Sequence, residues 1–273
     1  MIWRWLRRSA IALLAICVIL LAYMTQIEPR WLQVETVDLT LPHLPVAFDG
    51  FTLVQISDLH VDSLDDRTLA RAIRLVNRQT PDLVAITGDF VTQKDNLERD
   101  RDRLAILNTL QPQTVAVLGN HDHWTNPIIV RHILRVAGIE DLSNRVVRIE
   151  REGEQVAIAG IDDLMAGHPD LPQVLDALPP DGCAILLVHE PDFADSAAAT
   201  HRFDLQLAGH SHGGQIRIGP PRILPPYARR YPLGRYQVEE MIAYTNRGIG
   251  MTSVPMRFGN RPEITVFHLH APG

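Results

Sequence analysis

Five short apolar runs in this chain each end in residues able to hold a metal ion. Residues 51–56 run into Asp58-Leu59-His60, 83–86 into Gly88-Asp89, and 114–118 into Gly119-Asn120-His121-Asp122. Residues 183–188 run into His189-Glu190-Pro191, and 203–208 into Gly209-His210-Ser211-His212. Carboxylate and amide oxygens with imidazole nitrogens, and no thiolate, suit Mn, Fe, Zn, Co or Mg rather than a structural zinc site. Seven candidates (Asp58, His60, Asp89, Asn120, His189, His210 and His212) are too many for one ion that keeps an open position. They suit two divalent ions sharing a carboxylate, and Asp89, central in the order, is the candidate bridge. Taken singly, each has a plainer reading. Asp58 and Asp89 could be helix N-caps, Asn120 a capping residue, and His60 or His189 a structural histidine. His210 and His212 are harder to dismiss, because positions i and i+2 of an extended chain project to one side. Gly209, Gly213 and Gly214 would let the backbone approach a ligand closely.

The elements that must bring these residues together are legible from spacing. Asp58 to Asp89 is 31 positions, and Asp89 to Asn120 is again 31. That is the length of a β-α-β unit, so three parallel strands would deliver polar residues side by side at their carboxyl ends. A capping box at Ser63-x-x-Asp66 opens a helix with Leu69, Ile73 and Val76 on one face. A charged helix is expected over 96–110 with Leu97, Leu104 and Leu107 inward, and Asn126-Pro127 starts another ending at Ala137. Residues 31–41 read as an edge strand. Residues 145–149 and 155–159 form a hairpin turning at Glu152-Gly153, and a short helix spans 170–178. Further strands are expected at 215–218, 241–245 and 264–269. Strands mixed with helices argue for two packed sheets with helices outside.

Asp58-x-His60, Gly88-Asp89, Gly119-Asn120-His121-Asp122, His189 and Gly209-His210-Ser211-His212 together resemble the motif series of the calcineurin-like metallophosphoesterases. The resemblance covers residues 51 to about 270 and implies an α/β fold, a four-layer α/β/β/α sandwich of two mixed sheets. It implies that Asp58, His60 and His212 hold one metal, that Asn120, His189 and His210 hold the other, and that Asp89 bridges. His121 would contact the phosphoryl oxygen or protonate the leaving oxygen. Asp122 stands where a Glu is often found, as a shorter carboxylate to orient His121. The implied chemistry is phosphoester hydrolysis by an activated water in line with the leaving oxygen. Gly213-Gly214-Gln215, Asn246 to Gly250 and Arg257 to Glu263 further resemble a bacterial membrane-anchored subgroup. That likeness raises a second substrate, UDP-2,3-diacylglucosamine in lipid A synthesis, cleaved at its pyrophosphate.

The 273 residues, 46% of them hydrophobic, can bury a large core. With 26 basic and 32 acidic residues the chain has no general nucleic-acid footprint. Cys17 and Cys183 offer neither a disulfide nor a thiolate metal site. Residues 1–27 read as a membrane anchor, 28–50 as connector and edge strand, and 51–273 as a monomeric catalytic domain. The uncharged run 9–24 is at the short end for a spanning helix, and a signal peptide is the competing reading. No small-x-small cleavage site is evident, and the Arg7-Arg8 pair is a weak twin-arginine signal. Arg4, Arg7 and Arg8 before the run place the N-terminus in the cytoplasm, hence the domain on the periplasmic side of the inner membrane. That orientation conflicts with a cytoplasmic UDP-lipid unless the apolar segment only lies in or dips into the inner leaflet. Arg229, Arg230 and Arg235, interleaved with tyrosines, suggest a substrate-binding rim that partly faces lipid. A solvated loop with cation–π contacts explains them as well. Asp162-Asp163 either flank the site or serve a turn.

Overall fold

A computed structural model describes residues 2–92, 97–219 and 223–273. The expected inward placement of Leu97 lies outside the described side chains. The strands are β1 (Gln33–Thr40), β2 (Phe51–Ile56), β3 (Leu83–Thr87), β4 (Gln113–Val117), β5 (Glu140–Asp141) and β6 (Arg145–Arg151). They continue as β7 (Glu154–Gly160), β8 (Ala184–Leu187), β9 (Leu205–Ala208), β10 (Gly234–Val238), β11 (Met241–Thr245) and β12 (Glu263–His270). Among the described residues they form two six-stranded sheets, ordered β1-β12-β2-β3-β4-β5 and β10-β11-β9-β8-β7-β6. Both are mixed. β2, β3 and β4 run parallel while β12 is antiparallel to β2, and the β6–β7 hairpin flanks the parallel β7-β8-β9 run.

Strands buried on both faces carry apolar residues at odd and even positions alike. One face of β2, β3 and β4 (Leu53, Ala85, Val115, Val117) meets Ile158, Ile185, Leu187 and Leu207 of the other sheet. Their opposite face (Val54, Ile56, Val84, Ile86, Ala116) packs on α2 (Asp66–Arg78) and α5 (Pro127–Val136). The far side of the second sheet, rich in alanine, is covered by α6 (Leu171–Ala177) and α7 (Ala194–Ala198). These are the four expected layers.

The 31-residue spacing is realised in the register. Ile56 lies beside Ile86, and Ile86 beside Ala116, so Asp58, Asp89 and Asn120 emerge at one sheet end. Helix α3 (Leu97–Leu104) continues as a 3-10 turn over Ala105–Thr109, and Asn126 caps α5 by accepting from Ile129 N–H. Two expectations differ. Helix α2 is capped by Asp65, whose carboxylate accepts from Thr68 N–H at 2.8 Å. Ser63 ends the preceding 3-10 turn, two residues before the cap position, and its hydroxyl accepts from Met251 N–H instead. The expected strand 215–218 is a single bridge, Ile216 to Phe258, because the chain has just left a glycine turn and meets no longer partner.

Helix α1 (Ile2–Ala22) has no buried residue and is apolar and long enough to cross a membrane. At 21 residues it is about 31 Å long, close to a bilayer's hydrocarbon thickness. Its continuation, Tyr23–Ile27, docks on the domain. Arg257 N–H donates to Met24 O at 2.9 Å, and Asn260 N–H donates to the buried Glu28 carboxylate at 2.5 Å. Within 28–50, β1 is the expected edge strand, beside β12.

Candidate metal centre

The chain turns sharply after β2, β3 and β9 to present ligands. Asp58, His60, Asp89, His210 and His212 all take left-handed backbone, with φ of 49°, 37°, 57°, 65° and 48°. Such conformations cost non-glycine residues about 1 kcal/mol or more each and persist only where surroundings enforce them. Two buried groups result, Asp58/His60/His212 and Asp89/His189/His210. Asp89 stands between them: its Oδ2 is 3.4 Å from His60 Nε2 and 3.2 Å from His189 Nε2. Its Oδ1 accepts from His121 N–H at 2.9 Å. Asp58 Oδ1 lies 3.3 Å from His212 Nε2, and the same carboxylate accepts from His210 N–H.

Outer hydrogen bonds decide which imidazole nitrogen faces inward. His189 Nδ1 lies 2.7 Å from Thr87 O and must donate to it, so Nε2 turns to the site unprotonated. His210 does the reverse: Nε2 donates to Pro226 O at 3.0 Å, leaving Nδ1 3.2 Å from His189 Nε2. The Thr92 hydroxyl donates to Asp62 and so accepts from His60 Nδ1, which frees His60 Nε2. His60 Nε2 and Asn120 Oδ1 are buried without hydrogen-bond partners, the state expected of atoms shaped to bind a cation. The residues present fit two divalent ions.

Electrostatics agree. Burial depresses His60 to about 3 and His210 to about 4, so their lone pairs are available at neutral pH. Burial alone would raise Asp58 and Asp89, but His212 beside the first and His189 beside the second hold both below the usual carboxylate range. Burial lowers His189 too, yet Asp89 lifts it well above normal: the space between them demands a positive charge, proton or metal.

His121 is half-buried beside the groups. Its Nδ1 donates to Thr92 O at 2.9 Å, and its Nε2 stays open with Thr252 Oγ1 at 3.4 Å. Trp124, on α4 (Asn120–Thr125), packs edge-on against its ring and is half exposed. Thr92, Thr252 and Trp124 escaped the sequence reading. Thr92 and Thr252 lie on irregular segments with no periodicity, and Trp124 stands one turn after Asn120 without a motif of its own.

Asp122 is placed differently from the expectation that it orients His121. Its two oxygens accept backbone N–H from Asp89, Phe90, Val91 and Gly119, at 2.9–3.3 Å. Burial and the Asp89 charge push its carboxyl up to about 7. A shorter acid on the first helical turn reaches the facing loop instead of the neighbouring ring. The loop that carries the expected arginine rim lies beside the centre. Arg229, Arg230 and Arg235 are exposed, and Arg230 pairs with Asp195 on α7 at 2.5 Å. This loop touches the centre through the Pro226 carbonyl. Asp162 receives His123 at 2.8 Å, and Asp163 caps its own turn, so both serve structure near the site's edge.

Two mixed sheets with two buried Asp/His groups at neighbouring strand ends define a two-metal phosphoester hydrolase. Residues 51–214 match the family model described as calcineurin-like phosphoesterase, and the chain belongs to that family. It is 36% identical over 258 residues to the uncharacterized metallophosphoesterase YkuE of Bacillus subtilis, covering 90% of this chain and 88% of that protein. It is 32% identical to the phosphodiesterase YaeI of Escherichia coli, covering 90% and 92%. A Danio rerio transmembrane protein with metallophosphoesterase domain is 33% identical, and the match covers 85% of this chain and 56% of that protein. Among solved structures, TT1561 of Thermus thermophilus shares the fold, with TM-score 0.51 and 16% identity over 73% of this chain and 90% of that one.

Proposed function

We propose that the protein is a phosphodiesterase held in the inner membrane by α1, with its metal centre on the extracytoplasmic side. The observation that carries the reading is Asp89: one carboxylate within 3.4 Å of a histidine from each group. In this reading Asp58, His60 and His212 hold one ion, Asn120, His189 and His210 the other, and Asp89 both. Two divalent cations there supply an acidified water and positive charge for the phosphoryl oxygens. The protein's own part is positioning and proton handling. Thr87, Thr92 and Pro226 lock three imidazoles so that their inward nitrogens stay unprotonated. His121, fixed through Nδ1, presents Nε2 to the phosphoryl group or the leaving oxygen, where it can donate a proton as the ester bond breaks. Trp124 excludes water from one side of that ring and offers a flat apolar wall to a substituent on phosphorus. A diester fits the name of the relative YaeI. The orientation rests on Arg4, Arg7 and Arg8 preceding the span.

One assay tests both parts. Intact spheroplasts carrying the protein should hydrolyse an externally added, impermeant chromogenic phosphodiester. Activity should vanish in Asp89→Asn and, reversibly, on chelation. Hydrolysis appearing only after lysis would reverse the orientation, and activity surviving in the Asp89→Asn protein would remove the two-metal reading. A faster reaction with a UDP-linked lipid than with diesters would replace the diester assignment by pyrophosphate cleavage.

A further inference from the structure

The segments that follow His212 and carry Thr252 bear exposed, large apolar side chains that the hydrolytic chemistry does not use. Ile216 and Ile218, just after the ligand His212, are 40% and 80% exposed, and Val254 is 42% exposed. They belong to one platform. Gln215 Nε2 donates to the carbonyls of Thr252 and Val254, Gln215 Oε1 accepts from Thr252 N–H, and Ile216 bridges to Phe258.

This platform sits where the membrane helix ends. Arg257 N–H donates to Met24 O, and the Phe258 ring packs edge-on against Tyr23 with centroids 6.2 Å apart. Two adjacent chain spacings therefore separate Ile216 from Met24, roughly 10 Å. If Ile2–Ala22 spans the hydrocarbon, Tyr23 and Met24 lie at its surface, where tyrosine is favoured, and the polar headgroup layer beyond is about 5–8 Å deep. Ile27 and Trp31, on the segment that follows the helix, are also about half exposed. On the opposite side the platform reaches the chemistry, since Thr252 Oγ1 is 3.4 Å from His121 Nε2. One stitched surface joins the membrane helix to the candidate acid.

We propose that Ile216, Ile218 and Val254 insert into the headgroup region of the bilayer that α1 crosses, so that the metal centre opens onto that surface and takes its phosphodiester from a lipid headgroup. The substrate half rests on the phosphodiesterase reading above; the surface half does not. Continuity with the anchor argues for lipid as the occupant, because the helix end fixes the patch within reach of the bilayer whatever else the protein meets. Arg217, between the two isoleucines, would meet lipid phosphates.

The test uses the full chain in phosphatidylethanolamine–phosphatidylglycerol vesicles. In a Cys17→Ser background, an environment-sensitive fluorophore on Ile218→Cys should be quenched by lipids spin-labelled near the headgroup. An unquenched probe overturns the surface, and so does a blue shift without quenching, which would assign the patch to a second copy of the chain. In the triple variant Ile216→Ser, Ile218→Ser, Val254→Ser, kcat/KM should fall about tenfold for a phosphodiester anchored by a diacyl tail. For a water-soluble phosphodiester it should not change. Equal effects on both substrates, or none, overturn the lipid assignment. Wild-type protein inactive on both would sink the phosphodiesterase reading, while the quenching would still decide the surface.

Discussion

At the residue scale, the string Asn120-His121-Asp122 divides three ways. Asn120 keeps a buried neutral oxygen without a partner, His121 leaves Nε2 with only a long 3.4 Å contact to Thr252 Oγ1, and Asp122 gathers four backbone donors, three of them from the loop that carries Asp89. The three therefore should fail differently. Asn120→Ala should weaken metal binding by about tenfold or more, read by metal titration. His121→Ala should keep both metals and lower kcat by about 10²–10⁴. Asp122→Ala strands buried N–H groups, so it should cost about 3 kcal/mol in stability and release metal with the loosened Asp89 loop. An Asp122→Ala protein with full metal content, unchanged melting and a His121-like kinetic defect would restore the role of orienting His121.

At the scale of elements, the strand ends matter more than the strands. Parallel β2, β3 and β4 can bring ligands together only if the turns after them pack almost in contact, and glycine makes that approach feasible. Gly119 has φ of −112°, open to any residue, so its need is steric. A Cβ there would strike the Asp89 carboxylate and stand 2.8 Å from Asp89 N and from His189 Cε1. Gly119→Ala should cost about 2 kcal/mol and, more tellingly, reduce bound metal by displacing the bridging carboxylate. Metal analysis and thermal melting together check this; a stable variant with two metals would contradict it. The motif Gly-Asn-His-Asp was readable in sequence, whereas the reason for its glycine required the neighbouring loops.

At the scale of the whole molecule, the site lies where the two sheets meet, and a buried pair ties them there. His123 follows β4 in one sheet and Asp162 follows β7 in the other, with Nε2 and Oδ1 2.8 Å apart. Burial opposes both charges, but the pairing lowers Asp162 to about 2 and raises His123. The share due to Asp162 is present above about pH 4 and lost as pH falls toward 2. The share due to His123 is complete below about pH 6.5 and lost as pH rises through its raised pKa. The pair should therefore stabilise most between about pH 4 and 6.5. The melting temperature lost in His123→Gln should be a few degrees at pH 5.5, for about 1–2 kcal/mol, and smaller at pH 8.5. An equal loss at both pH values would show that the histidine contributes only packing.

The sequence by itself determined most of the strands, the parallel order of β2, β3 and β4 and the six Asp and His residues of the two buried groups, because each depends on local pattern: apolar runs, 31-residue units, and polar residues at run ends. It could not assign partners to groups whose contacts cross between units. Three of the four backbone donors of Asp122, the Thr87 and Thr92 carbonyls that set imidazole tautomers, and the pairing of Arg230 with Asp195 join residues 29 to 102 positions apart. The docking of the anchor's end on the 251–260 loop joins opposite ends of the chain. Only tertiary packing decides such contacts, since a side chain pairs with whichever group the fold leaves unsatisfied within reach.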